Sequence, residues 1–196
     1  LAGLIVVVAL AVAVWPRGDD ATEEPQSPPA ASGVSDDLRA AAHLPDCPSG
    51  AATGSGPLAG ITLDCLANGR PVDLAAALAG KPALLNLWAY WCAPCAQELP
   101  YLQQYAQRAG NAITVLTVHS DPDEAKALSR LRGLEVRLPG VSDADARVRT
   151  AVGAPAVLPI SVLVRADGSV ADVVVRAFGG VDDIANTVAG KLGVAA

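Results

Sequence analysis

Leu84-Leu85-Asn86-Leu87-Trp88-Ala89-Tyr90-Trp91-Cys92-Ala93-Pro94-Cys95 joins an apolar run, rich enough for a buried strand, to a Cys-x-x-Cys. A helical pattern follows without a gap. From Cys92 to Arg108 the apolar residues Leu99, Leu102 and Tyr105 recur at steps of three, with Ala106 alongside. This junction puts Cys92 at a helix N-terminus, where unsatisfied backbone N–H groups and the macrodipole favour an anion. For a cysteine that anion is the thiolate, the form that attacks disulfides. Cys95, three residues on, can reach Cys92 and resolve a mixed disulfide.

Three readings of the motif compete. An inert structural bridge does not need a strand-to-helix junction. A zinc site needs four ligands, commonly a second Cys-x-x-Cys or a His pair. Beyond the motif the chain offers only Cys47, Cys65, His43 and His119, scattered along it. Redox catalysis accounts for the whole pattern.

Trp88-Ala89-Tyr90-Trp91-Cys92-Ala93-Pro94-Cys95 resembles the active site of thioredoxin-fold proteins. Glu98-Leu99-Pro100 just after it is similar to the TlpA/ResA (DsbE/CcmG-like) branch, the membrane-anchored extracytoplasmic thiol–disulfide oxidoreductases. The resemblance runs from about Leu58 to the C-terminus. It implies an α/β thioredoxin fold, a redox-active Cys92/Cys95 pair and protein substrates, and it calls for no cofactor.

Composition sets outer bounds. The 196 residues allow one domain with appendages, and the apolar half of the chain is poor in aromatics. The core is therefore expected to be aliphatic, with Trp88, Trp91 and Phe178 as its few large pieces. A formal charge of −6 argues against nucleic acid and against a basic membrane-binding patch. Heavy use of Ala, Gly, Val, Arg and Pro suggests a high-GC bacterial source.

Leu1 to Val14 is uninterrupted apolar sequence. A full span takes roughly 20 apolar residues, so the run reads as the end of an uncleaved anchor or as the h-region of a signal peptide. Trp15 at its exit suits a membrane interface, and neither a convincing small-x-small cleavage site nor a lipidation Cys follows nearby, which favours the anchor. Pro16 to about Leu44 is Pro, Ser, Ala, Asp and Glu with almost no large apolar residue, a composition that does not offset ordering entropy. It reads as an acidic tether, with at most a short helix over Ser35 to Ala42. The expected organisation is an anchor over 1–15, a linker over 16–45 and a thioredoxin-like domain over 46–196, exported and tethered.

In an exported domain the two remaining cysteines, Cys47 and Cys65, are expected to form a structural disulfide. The bridge would pin the end of the tether to a first strand, Gly60 to Leu66. The rival is a second redox pair that passes electrons to Cys92/Cys95. Asn68-Gly69 signals a hairpin turn, giving an N-terminal β-hairpin extension before a short helix, Leu74 to Leu78. Ala79-Gly80-Lys81-Pro82 then launches the central strand, Ala83 to Trp88.

Further on, Ala112 to Val118 reads as a buried strand. Asp121-Pro122-Asp123-Glu124 opens a helix to about Arg132, Val136 to Val141 is a short strand, and Ser142-Asp143 opens a helix to about Val152. Leu158 to Val164 is a strand led by proline. Ala166-Asp167-Gly168-Ser169 turns it into Val170 to Arg176, and Val181 to Leu192 closes the chain as an amphipathic helix. This alternation means an α/β fold with a central sheet.

The resemblance adds roles. Leu158-Pro159 stands where thioredoxin-fold proteins carry a cis-proline facing the Cys-x-x-Cys, which implies that the backbone of Leu158 pairs with the substrate chain. Pro155 is the alternative cis position. Roughly Pro122 to Val141 matches the central helix–strand insertion of the TlpA/ResA branch. Cys92 is the candidate nucleophile, beside the exposed aromatic surface of Trp91, and Cys95 the more buried resolving thiol. Pro94 removes a backbone donor between them. Thioredoxins have a titrating Asp where this chain has Asn86, and Glu98 matches a Glu typical of the TlpA/ResA branch, which makes it the candidate to move a proton for Cys95. His43 and His119 read as ordinary surface histidines, and the hydroxyl of Tyr90 has no assigned task.

The reading is a monomeric, extracytoplasmic thiol–disulfide oxidoreductase. The resemblance favours a reductant in c-type cytochrome maturation, reducing apocytochrome cysteines with electrons from a membrane thiol carrier. The alternatives are an oxidant that donates disulfides to exported proteins and a copper or zinc metallochaperone using the same thiols. A thiol peroxidase finds no support in Trp91-Cys92-Ala93-Pro94-Cys95.

Overall fold

The computed structural model of the chain describes residues 34–50 and 53–195. The expected anchor over 1–15 and most of the expected linker lie outside these residues. Among the described residues no helix is long and apolar enough to cross a membrane.

The central strand runs Ala83–Trp88 (β3), as its apolar run requires, and all six residues are buried. The helix Ala93–Ala109 (α3) carries the chain back, and Thr114–His119 (β4) pairs parallel to β3, from Ala83↔Thr114 to Trp88↔His119. Such a crossover satisfies the ladder on one edge of β3 and buries the apolar stripe of α3 on the sheet. The other edge of β3 takes Ile160–Val164 (β6) antiparallel, with Leu87 opposite Ile160, and β6 turns into Val170–Val174 (β7). Val181–Leu192 (α6) closes the chain where its periodicity predicts and ends at Gly193, whose φ of 69° is a left-handed stop that favours glycine.

On the far side the sheet is extended. Thr62–Cys65 (β1) and Pro71–Asp73 (β2) form the N-terminal hairpin, followed by Leu74–Leu78 (α2), where Asp73 caps by accepting the Ala76 N–H at 3.0 Å. The turn is wider than the two-residue Asn-Gly type. It spans Leu66 to Arg70, and only Gly69 has a positive φ, 68°. Glu124–Gly133 (α4) and Gly140–Ser142 (β5) supply the inserted helix and strand, and β5 joins β4 to β1. The full strand order is β2-β1-β5-β4-β3-β6-β7.

Three expectations are corrected here. The strand expected over Val136 to Val141 is the short Gly140–Ser142, because the chain reaches β4 only at Gly140↔Thr117. The helix expected from Ser142 starts later, at Arg147–Ala151 (α5). Asp143 is buried ahead of it, and its carboxylate accepts from the Arg147 and Val148 N–H groups at 2.8 and 3.0 Å. The linker expected to run through residue 45 stops short, since the folded unit begins at Val34. Asp36–Ala42 (α1), capped by Ser35, packs on α4. Its Arg39 donates to the carbonyls of Cys65 and Leu66, at 3.3 and 2.9 Å, and pairs with Glu124. A guanidinium this buried stays only because each partner is supplied, and that arrangement holds α1 against the hairpin and the insertion at once.

Candidate active site

The ends of β3, β4 and β6 meet at one edge of the sheet. Trp88 is opposite His119 on β4, and Pro159 directly precedes Ile160, the partner of Leu87, so the proline falls at the level of Trp88. The sheet therefore aims the loop Ala89 to Cys92 at Pro159. The Leu158–Pro159 bond is cis, and it is the only cis bond among the described residues, so Pro155 is not the cis position.

Cys92 is the N-cap of α3, with Ala93 and Pro94 opening the helix. The Cys95 N–H donates to Cys92 Sγ at 3.2 Å, and the Cys92 N–H is held by the Ala89 carbonyl at 3.0 Å. The N-terminal N–H groups that favour a thiolate thus converge on the first cysteine of the pair. Ala93 and Pro94 beside it are exposed and uncharged, so the dipeptide adds no charge to the stabilisation that the helix end supplies. The two cysteines are joined as a disulfide. Cys95 is fully buried, whereas Cys92 retains 4% exposure, which makes Cys92 the more accessible of the two.

Behind the pair lies a buried polar set. Glu98, one turn after Cys95 on the same face of α3, has no exposed surface. Its Oε1 accepts from Asn86 Nδ2 at 2.7 Å and its Oε2 from the Phe178 N–H at 2.8 Å, while Asn86 Nδ2 also donates to Ser161 Oγ at 3.2 Å. Burial raises the Glu98 pKa, and the hydrogen bonds from Phe178 and Asn86, with the nearby Arg176 guanidinium, oppose the rise. The carboxylate is thus carried on the helix instead of the strand, and Asn86 is its donor.

This arrangement makes a prediction. A carboxylate near a thiol disfavours the thiolate, so Glu98→Gln should lower the apparent pKa of the reduced cysteine pair, read from alkylation rate against pH. The inflection contributed by Glu98 itself should disappear from the same curve. Asn86 Oδ1, unpartnered as it stands, offers an acceptor for the new amide, so the variant keeps a buried hydrogen bond. An unchanged profile would remove Glu98 from the proton path.

Two readings of the loop are corrected. Trp91 is not a core piece. It is 58% exposed, and its Nε1–H donates to Asp121 Oδ2 at 2.9 Å. Asp121 is fixed in turn, since its Oδ1 accepts the Asp123 N–H at 2.8 Å. His119 is not a surface histidine. It is fully buried, 4.9 Å from the Trp88 ring, and its Nε2 accepts the Tyr90 N–H at 3.4 Å. Burial lowers its pKa to about 4, so it is neutral at pH 7 and serves as an acceptor for the loop. The strand pattern around His119 shows only that it ends β4, and the neighbours that bury it come from β3. His43 is exposed as expected and ends α1 in a left-handed conformation.

Cys47 and Cys65 form the second disulfide, closing a loop of sequence separation 18. Cys47 Sγ also lies 3.0 Å from the Gly140 carbonyl oxygen, which fixes the segment against the start of β5. No group of three or more His, Cys, Asp or Glu suited to a metal occurs among the described residues.

The comparisons with known proteins agree with this geometry. Residues 42–188 match the family model described as Redoxin. Thiol-disulfide oxidoreductase ResA of Bacillus subtilis (strain 168) is 31% identical over 108 residues, 55% of this chain and 59% of the relative. A Bacillus cereus ResA is 27% identical over 101 residues, 50% of this chain and 57% of the relative. The chain thus spans somewhat over half the length of the curated relatives it matches. Among solved structures, a secreted Mycobacterium tuberculosis disulfide oxidoreductase homologous to E. coli DsbE is 30% identical with a TM-score of 0.58, covering 68% of this chain and 97% of that one. MTB DsbF is 25% identical with a TM-score of 0.60, covering 68% and 96%. With the family model matching most of the folded unit, and the Cys-x-x-Cys at the N-cap where that fold carries its redox pair, the chain belongs to the Redoxin family, as a thioredoxin fold with an inserted helix and strand.

Proposed function

We propose that the chain is a thiol–disulfide oxidoreductase that exchanges its Cys92–Cys95 disulfide with protein substrates outside the cytoplasm. The observation that carries this reading is the placement of Cys92 Sγ at the N-cap of α3, accepting the Cys95 N–H, with Cys95 sealed behind it. In the reducing direction the Cys92 thiolate attacks a substrate disulfide, forming a mixed disulfide and releasing one substrate thiolate. Cys95, giving its proton to the buried Glu98 region, then attacks Cys92 Sγ. The second substrate thiol leaves, and two electrons have passed from the cysteine pair to the substrate. The apolar surface of Trp91, Val157 and Leu158 flanks the path of the incoming chain, with Pro159 beneath it.

The direction that the family resemblance of the sequence implies is reduction. On this reading the protein acts as a monomer, held at the cell membrane by the apolar segment at its start, and supplies reduced cysteines to apocytochrome c before haem attachment. A membrane thiol carrier returns its electrons. The resemblance carried by the Cys-x-x-Cys stretch and Glu98-Leu99-Pro100 supports this, with Glu98 in place of a strand aspartate. Acid quenching and thiol trapping of growing cells tests the direction, in a Cys47→Ser/Cys65→Ser background so that only the active-site pair is scored. The expected result is a mostly reduced Cys92/Cys95 pair. A mostly oxidised pair would replace the reductant with a disulfide donor, since potentials across this fold run from about −270 to −120 mV.

A further inference from the structure

Beside the active-site loop lies a groove of about 470 Å³ that the exchange chemistry does not use. It is lined by Lys126, Ser129 and Arg130 of α4, by Gly133 and Leu134 where that helix ends, and by Tyr90 of the loop. The chain as a whole carries −6, yet this lining has two cations and no carboxylate.

The two cations are not equivalent. Lys126 is engaged: it pairs with Asp123 at 2.7 Å, lies 3.4 Å from the Tyr90 hydroxyl and sits 4.9 Å from the ring centroid. Arg130 is held on one side only. Its Nε–H donates to the Tyr90 carbonyl at 3.1 Å, and it has no carboxylate partner among the described residues. A guanidinium fixed through Nε keeps its terminal N–H groups as a planar fork, the geometry that binds a carboxylate at two points.

Position makes the fork relevant to exchange. The carbonyl that holds Arg130 belongs to Tyr90, two residues before Cys92, so the Tyr90 and Cys92 Cα atoms are at most about 8 Å apart. A substrate chain in mixed disulfide with Cys92 covers that distance in two or three extended residues, about 7–10 Å. We infer that the groove between Tyr90 and α4 receives an acidic side chain of the substrate polypeptide, two or three residues from the cysteine being exchanged, with Arg130 as the selecting residue. This rests on the exchange reading given above and adds a substrate preference to it. Tyr90, which otherwise has no task, becomes the shared element that ties the selecting arginine to the active-site loop.

The test uses the full chain and two disulfide-bonded peptides that differ only in Glu or Gln three residues from the cysteine. The readout is the ratio of kcat/KM for the Glu peptide to that for the Gln peptide. A charge-assisted two-point contact predicts a ratio of about ten for the unaltered protein at low salt, shrinking as ionic strength rises. Arg130→Gln should bring the ratio to about one, and Arg132→Gln, on the same helix outside the groove, should leave it. A ratio near one in the unaltered protein overturns the inference, as does a ratio that Arg130→Gln leaves in place because both peptides slow equally. An equal fall in the Arg132→Gln variant also overturns it, by showing a general charge effect. Failure of both peptides to react at all would take down the exchange reading itself, a result distinct from a lost preference.

Discussion

Cys95→Ser protein given a disulfide-bonded protein substrate should stop halfway, accumulating a mixed disulfide through Cys92 while multiple turnover falls to the uncatalysed background. The first step needs only the Cys92 sulfur at the N-cap of α3, which Cys95→Ser leaves with the same N–H donor. The second step needs an intramolecular thiol, and no other cysteine is available, since Cys47 and Cys65 are bonded to each other. Cys92→Ser should give neither adduct nor turnover, because fully buried Cys95 cannot meet a substrate sulfur. Mass spectrometry of the quenched reaction reads both. An adduct on Cys95 in the Cys92→Ser protein would exchange the assigned roles.

The second large effect concerns stability. Cys47→Ser should lower the free energy of unfolding by about 3 kcal/mol, the chain-entropy value for a loop of this size, which is roughly 10 °C in Tm for such a domain. Exchange turnover should stay close to its original value. Cys65 sits on β1, and β5 and β4 separate β1 from β3. Three strand spacings make about 14 Å, too far for the sulfur contact that direct exchange with Cys92 or Cys95 requires. Thermal unfolding followed by circular dichroism, with turnover measured on the same sample, checks both halves. Turnover lost at unchanged Tm would turn the bridge into a second redox pair.

These two disulfides illustrate different degrees of legibility. Cys92–Cys95 was readable because its chemistry is local: the nucleophile, the helix end and the resolving thiol all fall within four consecutive residues. The pairing of Cys47 with Cys65 was readable from compartment and count. Its place on β1, against Gly140, depends on β5 inserting between β4 and β1. The groove lined by Tyr90 and Arg130 had no signal at all, because forty residues separate the two and only the packing of α4 beside the loop joins them.

By itself the sequence determined what short-range physics controls. The apolar run placed β3 at Ala83–Trp88. The short helix read after the hairpin stands at Leu74–Leu78 as α2, and the amphipathic period placed α6 at Val181–Leu192. Periodicity and capping act within a turn or two, so they are complete in the sequence. Tertiary structure decided the rest, because burial depends on what comes from elsewhere to cover a residue. His119 became a neutral buried acceptor because Trp88 and the active-site loop close over it, while Trp91, equally apolar, was turned outward and tied to Asp121. Arg39 makes the end of the expected linker a docked helix because two carbonyls of the hairpin region and Glu124 of the insertion converge on it. Asn86 and Glu98, twelve residues apart, became one buried hydrogen-bonded unit only when α3 packed across β3.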